Sequence, residues 1–152
     1  MRAKSILPRI LILFLAAMLV GTVSSRAGSD MKLEVQLVWG TNDSQSPDPR
    51  HKSVDADVQK KLKELPLKWT HYFQVSSHSF DLAVDATKKE PLSEKCSIEV
   101  KNLGHSTVEV SLYGKGEQVV KRTQALPKGE ILIMGGNAPN STAWLVVLKR
   151  LE

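Results

Sequence analysis

Apolar residues recur at every second position along most of this chain, and clusters of glycine, proline and asparagine interrupt that pattern about every ten residues. Successive side chains of a strand point to opposite faces, so the pattern calls for half-buried β-strands joined by tight turns. Met31 to Trp39 sets Leu33, Val35 and Leu37 on one face and Lys32, Glu34 and Gln36 on the other. Trp69, His71, Phe73 and Val75 share a face, and Phe80, Leu82 and Val84 resume the pattern after a polar turn at Ser76–Ser79. Cys96, Ile98 and Val100 are expected to pair with Val108, Val110 and Leu112 across a turn at Asn102–His105. Turns at Tyr113–Gly116 and Pro127–Gly129 lead into strands over 118–126 and 130–134. Gly135 to Asn140 reads as another turn cluster, and the continuous apolar run Ala143 to Leu148 as a central strand.

Only one stretch has helical spacing. From Ser53 to Leu65, Val54, Val58, Leu62 and Leu65 fall on one stripe, Ser53 is placed to cap the start, and Pro66 ends the run. Asp55 and Asp57 at its start and Lys60, Lys61 and Lys63 further on suit the helix dipole. Such a helix is expected across an end or edge of the sheet. The expected fold is therefore mainly β: an immunoglobulin-like antiparallel β-sandwich of about seven or eight strands with one short helix. A small closed barrel is the alternative.

The N-terminus has the three parts of a secretory signal. Arg2, Lys4 and Arg9 form a basic start, Ile10 to Val20 is an apolar run too short to span a bilayer, and small and polar residues follow. Ser25-x-Ala27 places cleavage after Ala27, with Val23-x-Ser25 the competing site. This divides the chain into a signal peptide, residues 1–27, and a single β-rich domain, residues 28–152, with a loop (40–52) and the helix (53–65) inserted after the first strand. It implies a periplasmic or extracellular protein with no stable membrane anchor after cleavage. The whole chain has 21 Lys+Arg against 16 Asp+Glu; removing Arg2, Lys4, Arg9 and Arg26 leaves 17 against 16. No excess of positive charge remains to argue for nucleic acid. Cys96 is the single cysteine, so no internal disulfide forms and the domain rests on its core.

The loop from Gly40 to Lys52 is the first candidate site. Asn42, Asp43, Asp48 and His51 bring oxygen ligands and an imidazole together beside Trp39, a set able to bind a polar ligand or partner. The same segment also reads as a solvated loop shaped by Asx-turns and prolines. Its spacing is not that of a calcium loop. The chain has no HExxH and no spaced Cys/His set, so neither a metal nor a cofactor is expected. Among the other histidines, His71 reads as semi-buried, while His78 and His105 fall in expected turns. Cys96 alternates in phase with Ile98 and Val100 as a core side chain, and Lys60, Lys61, Lys63 and Lys68 form a solvated basic strip. An acid–base pair would need His51 or His71 beside a carboxylate such as Asp81 or Asp85. Sequons stand at Asn42-Asp43-Ser44 and Asn140-Ser141-Thr142.

Leu37-Val38-Trp39-Gly40-Thr41-Asn42 through Ser46-Pro47-Asp48-Pro49, with Leu65-Pro66-Leu67-Lys68-Trp69 after it, resembles segments of an uncharacterised family of small exported bacterial β-rich proteins. Gly135-Gly136-Asn137-Ala138-Pro139-Asn140 before Ala143-Trp144 shares the resemblance. It implies a bacterial source and carries no activity and no functional residue. The function expected from the residues is a non-catalytic binding or interaction module acting through loops at one end of the sandwich, its partner a protein or a cell-envelope component. The alternatives are an accessory subunit of an envelope assembly and, behind it, a hydrolase with a His/Asp pair.

Overall fold

A computed structural model describes residues 30–138 and 142–152. The expected signal peptide therefore lies outside the described residues, as do Pro139–Ser141, which hold the end of the expected turn cluster and part of the second sequon. The chain runs β1 (Met31–Thr41), β2 (Lys52–Ser53), α1 (Ala56–Glu64), β3 (His71–Leu82), β4 (Thr87–Pro91), β5 (Cys96–Gly104), β6 (Thr107–Gly114), β7 (Glu117–Ala125), β8 (Ile131–Ala138) and β9 (Thr142–Arg150). One antiparallel sheet has the order β2-β3-β1-β9-β8 and the other β4-β5-β6-β7. Leu33 and Val35 of β1, Val146 and Leu148 of β9, and Ile98, Val100, Val110 and Leu112 of β5 and β6 form one buried core between them. This is a β-sandwich. Among the described residues no ladder joins the two sheets, so the closed barrel is not formed.

The alternation in β1 places Met31, Leu33, Val35 and Leu37 inside, as expected. Its other face is not solvent, however: Gln36 and Val38 are buried too. Helix α1 covers that face. Val58 and Leu62 pack with Val38, with Ile131 of β8, and with Leu145 and Val147 of β9, so the helix lies on the outer face of the five-stranded sheet. The expected position at an end or edge is corrected by this packing. An amphipathic stripe says that a helix buries one side but not against what, and β9 shows the answer by being apolar on both faces. The helix is also shorter than expected. Asp55 is its N-cap residue, without a side-chain cap bond, and Ser53 belongs to β2, paired with Phe73.

Other parts of the chain also differ from the sequence reading. The polar segment Ser76–Ser79 is not a turn; β3 runs through it. Leu37 pairs with Ser76 and Val38 with Gln74, so Val75 is an extra residue on β3. That bulge moves the inward phase from Phe73 to Phe80 and Leu82. Second, β4 went unseen, because Thr87-Lys88-Lys89-Glu90-Pro91 offers no apolar alternation; lysines and a proline suit an edge strand. Third, Gly135–Ala138 is not turn but the end of β8. The hairpin between β5 and β6 forms with Ile98 opposite Leu112 and Val100 opposite Val110. Its turn sits later than expected, at His105 and Ser106, whose φ values of 50° and 56° are those of a two-residue type I′ loop.

An ion pair fastens the helix to the sheet. Lys149, on the outer face of β9, contacts the Asp57 carboxylate in the first turn of α1. The hydrogen bond from Lys149 holds the Asp57 carboxyl below its ordinary value of 3.8, against the opposing effect of burial. Burial pulls Lys149 down, but the bond to Asp57 and the charges of Asp57, Asp55 and Glu34 outweigh it and hold the ammonium above 10.5. Asp57 therefore adds stability above its unfolded pKa that is lost as pH falls through the folded one. Lys149 adds stability below its unfolded pKa that is lost as pH rises through the folded one. Helix docking is thus firmest between those two ordinary values, 3.8 and 10.5. Asp57 is half exposed, so the effect stays within about 1 kcal/mol. Hydrogen exchange should show α1 loosening relative to β5 and β6 between pH 7 and pH 3, and Lys149→Met should remove that acid dependence. Equal pH response of the helix in both proteins would contradict the pairing.

Candidate functional site

The site is built where β1 runs out. Trp39 lies opposite Trp144 of β9 and opposite Phe73 of β3, two pairs beyond the inward-facing Leu37 and Val146 on the β9 side. The next residue is glycine for a steric reason. A Cβ on Gly40 would stand 3.1 Å from the Tyr72 ring and 3.4 Å from Trp69, which close over the outer face at that point. Tyr72 and Trp69 thus cover the outside of this sheet end, while Trp39 looks inward.

The segment expected to be a loop from Gly40 begins later, because β1 continues through Thr41. Its polar residues then divide into two groups. Asn42 Oδ1 accepts from the Thr70 backbone N–H at 3.1 Å and from its hydroxyl at 3.4 Å, pinning the loop to the start of β3. Asp48 accepts from the Arg50 backbone N–H at 2.9 Å and from Arg50 Nη2 at 2.6 Å. The Arg50 guanidinium holds the Asp48 carboxyl well below the usual carboxylate range. Ser46 Oγ and His51 Nδ1 are 2.6 Å apart, and the His51 ring meets Trp39 edge-on with centroids 6.2 Å apart. These side chains shape the loop. Asp43 and Gln45 do something else: their exposed side chains engage no hydrogen-bond or ion-pair partner among the described residues, and only the Asp43 backbone N–H is held, by Thr41 Oγ1 at 3.1 Å.

Two open grooves meet at Trp39. One, of about 470 Å³, is lined by Trp39, Thr41, Asp43, Ser44, Gln45, Pro47 and Thr142. The second, of about 530 Å³, passes between Trp39 and Trp144 to Val75, His51, Ser93 and Lys95 and is largely apolar. Of the five residues expected at the site, Trp39, Asp43 and His51 line a groove; Asn42 and Asp48 hold the loop instead. Sequence reasoning missed Trp144, Thr142 and Lys95. Trp144 is brought in by strand pairing across more than a hundred residues, and Lys95 by the turn after the unseen β4.

The remaining candidates settle elsewhere. His71 bonds to the Thr70 hydroxyl at 2.9 Å and pairs with Thr41, whereas Asp81 pairs with Lys32 at the other end of β3. The two are separated by about 30 Å of strand. His78 is in β3, not a turn, and lies 3.2 Å from Glu90 of β4. Burial pushes the Cys96 thiol up, and the residue packs against the core. Of the basic strip, Lys61 reaches Glu130 at 3.6 Å and Lys68 lies 5.7 Å from the Trp69 ring centre. Among the described residues no three His, Cys, Asp or Glu side chains converge as metal ligands, and no helix is long and apolar enough to cross a membrane. Comparison of the chain with known protein families, with curated proteins and with solved structures finds no match.

Proposed function

We propose that this protein is an exported, non-catalytic binding module whose recognition surface is the Trp39 end of the sandwich. The observation that carries the reading is the meeting of two grooves at one tryptophan, on a rigid strand end and beneath a loop fixed by its own hydrogen bonds. Binding sites gather on loops held by a scaffold, and mostly apolar clefts with a few polar groups are their usual form. Using loops at one end of a sandwich is also how immunoglobulin-like domains recognise partners, and that finer likeness belongs to the proposal. Export follows from the signal pattern of residues 1–27, and the partner is then a protein or a component of the cell envelope.

The hydrolase reading has one geometric attraction, since Ser46, His51 and Asp48 lie close together. Its chemistry is poorly served. Asp48 Oδ2 is 3.9 Å from His51 Nε2 and is already bonded to Arg50, and Ser46 lines neither groove. A general base needs hydrogen-bond reach to the group it activates, and a nucleophile needs access to substrate.

A thermal-shift screen of the purified protein against sugars, peptides, nucleotides and acyl chains tests the proposal. A ligand at a hundred times its dissociation constant stabilises the fold by about 2.7 kcal/mol, a rise of several degrees. Asp43→Ala should cut that rise to about half, as a tenfold weaker affinity would. A rise left undiminished by both Asp43→Ala and Gln45→Ala would place binding elsewhere and contradict the proposal.

A further inference from the structure

We infer that the paired grooves bind a neutral glycan, with Trp39 as the platform for a sugar ring and the Asp43 and Gln45 side chains as partners of its hydroxyls. This rests on the binding-module reading and names the ligand class for the same site.

A pyranose ring presents a C–H face that packs on an indole and a rim of hydroxyls that both donate and accept. A site for it needs an aromatic surface bordered by acceptor-only and mixed donor–acceptor groups. Trp39 is that surface, and the polar groove beside it holds the Asp43 carboxylate, an acceptor, and the Gln45 amide, which does both. Within one loop, Asn42, Ser46, Asp48 and His51 have their side chains bound up in internal hydrogen bonds, while Asp43 and Gln45 are left open at the groove. Trp39 adds a second sign. Its Nε1 is buried with no hydrogen-bond partner among the described residues, an unsatisfied donor on the residue that both grooves share. Beyond Trp39, the apolar groove bordered by Trp144 offers a second aromatic surface for the next ring of a chain.

Other ligand classes fit less well. A nucleotide or other phosphate would meet the Asp43 carboxylate in the polar groove, where no cationic side chain lines the wall. An acyl chain needs an enclosed tunnel, but these grooves open to solvent and the core behind them is filled by fully buried side chains. An extended peptide gains most of its affinity from a free strand edge, and β1 is paired on both sides, to β3 and to β9.

The test uses cellopentaose, chitopentaose and maltopentaose, with polygalacturonate as the anionic comparison, titrated into the purified protein and followed by tryptophan fluorescence and calorimetry. The expected result is saturable binding of at least one neutral pentasaccharide, weakened about tenfold by Asp43→Ala and by Gln45→Ala. Both positions are exposed, so these variants keep the wild-type melting temperature, which guards against loss by misfolding. Silence with all three neutral glycans, or binding only of polygalacturonate, would overturn the glycan. So would neutral-glycan binding indifferent to both substitutions. If a non-glycan ligand then stabilised the wild type but not Asp43→Ala, the glycan class would fall while the binding module stood. A ligand stabilising every variant equally would remove both.

Discussion

Asn102→Ala lowers the stability of the fold by about 3 kcal/mol, roughly 10 °C in melting temperature. Asn102 is 0 % exposed and sits where β5 bulges against β6. Its Nδ2 donates to the Leu82 carbonyl at the end of β3, and its Oδ1 accepts from the Gly104 N–H, both at 3.0 Å. The Asn102 backbone completes the clip, donating to the Ala86 carbonyl at 3.1 Å and accepting from the Asp85 N–H at 2.7 Å. One side chain thus ties the connection between the sheets to the hairpin of the second sheet. Alanine keeps the backbone bonds but strands a buried carbonyl and a buried N–H, each costing about 1–3 kcal/mol, and leaves a small void. Lys101→Ala, one residue away, should change stability by less than about 0.5 kcal/mol. Urea melts of both variants check this, and an Asn102→Ala protein as stable as the wild type would contradict it.

The second large effect separates two adjacent glycines. Gly135→Ala should cost about 3 kcal/mol or more, while Gly136→Ala stays within about 0.5 kcal/mol. A Cβ on Gly135 would be driven into the Trp144 carbonyl oxygen and would stand 2.9 Å from the Leu145 Cα, both backbone atoms of β9. At Gly136 the nearest atom is Trp144 Cζ2 at 3.9 Å, ordinary contact. Strand β9 lies between β1 and β8, so it cannot give way without moving Trp144 away from its place opposite Trp39. Gly135→Ala therefore disturbs the grooves as well as the fold. Thermal melts of the two variants read the difference, and equal melting temperatures would show that β9 yields freely.

The glycines also show how far the sequence could be read. Gly135-Gly136-Asn137 has the composition of a turn, and only the close approach of β8 to β9 makes a glycine necessary inside a strand there. The strands with a clean period of two were legible, above all β1 and the β5–β6 hairpin. Where the pattern slipped by one residue, between Val75 and Phe80, a turn was the natural reading and a bulge the correct one. A slip of one inward position is the mark of an inserted residue, whereas a turn would also need residues able to reverse the chain. The helix was legible from its stripe, but its place was not. The clue lay in β9, whose Leu145 and Val147 alternate with Val146 and Leu148 and so need cover on two sides.

At the site, composition pointed to the correct loop and could not say what each polar residue does. Asn42 and Asp48 look as open to a ligand as Asp43 until Thr70 and Arg50 are seen to occupy them. The groove's other aromatic wall, Trp144, became visible only through the register of β1 with β9.

Three tryptophans make one direct measurement possible. The indole N–H resonances of Trp39, Trp69 and Trp144 are followed by NMR while the ligand found in the screen is added. Trp69 lies over the outer face at Gly40 and serves as an internal control. Recognition at the meeting of the grooves predicts that the Trp39 resonance moves with saturation, Trp144 moves with it, and Trp69 stays in place. A ligand that shifts Trp69 and leaves Trp39 unmoved would put the binding surface on the wrong side of the sheet and contradict the account.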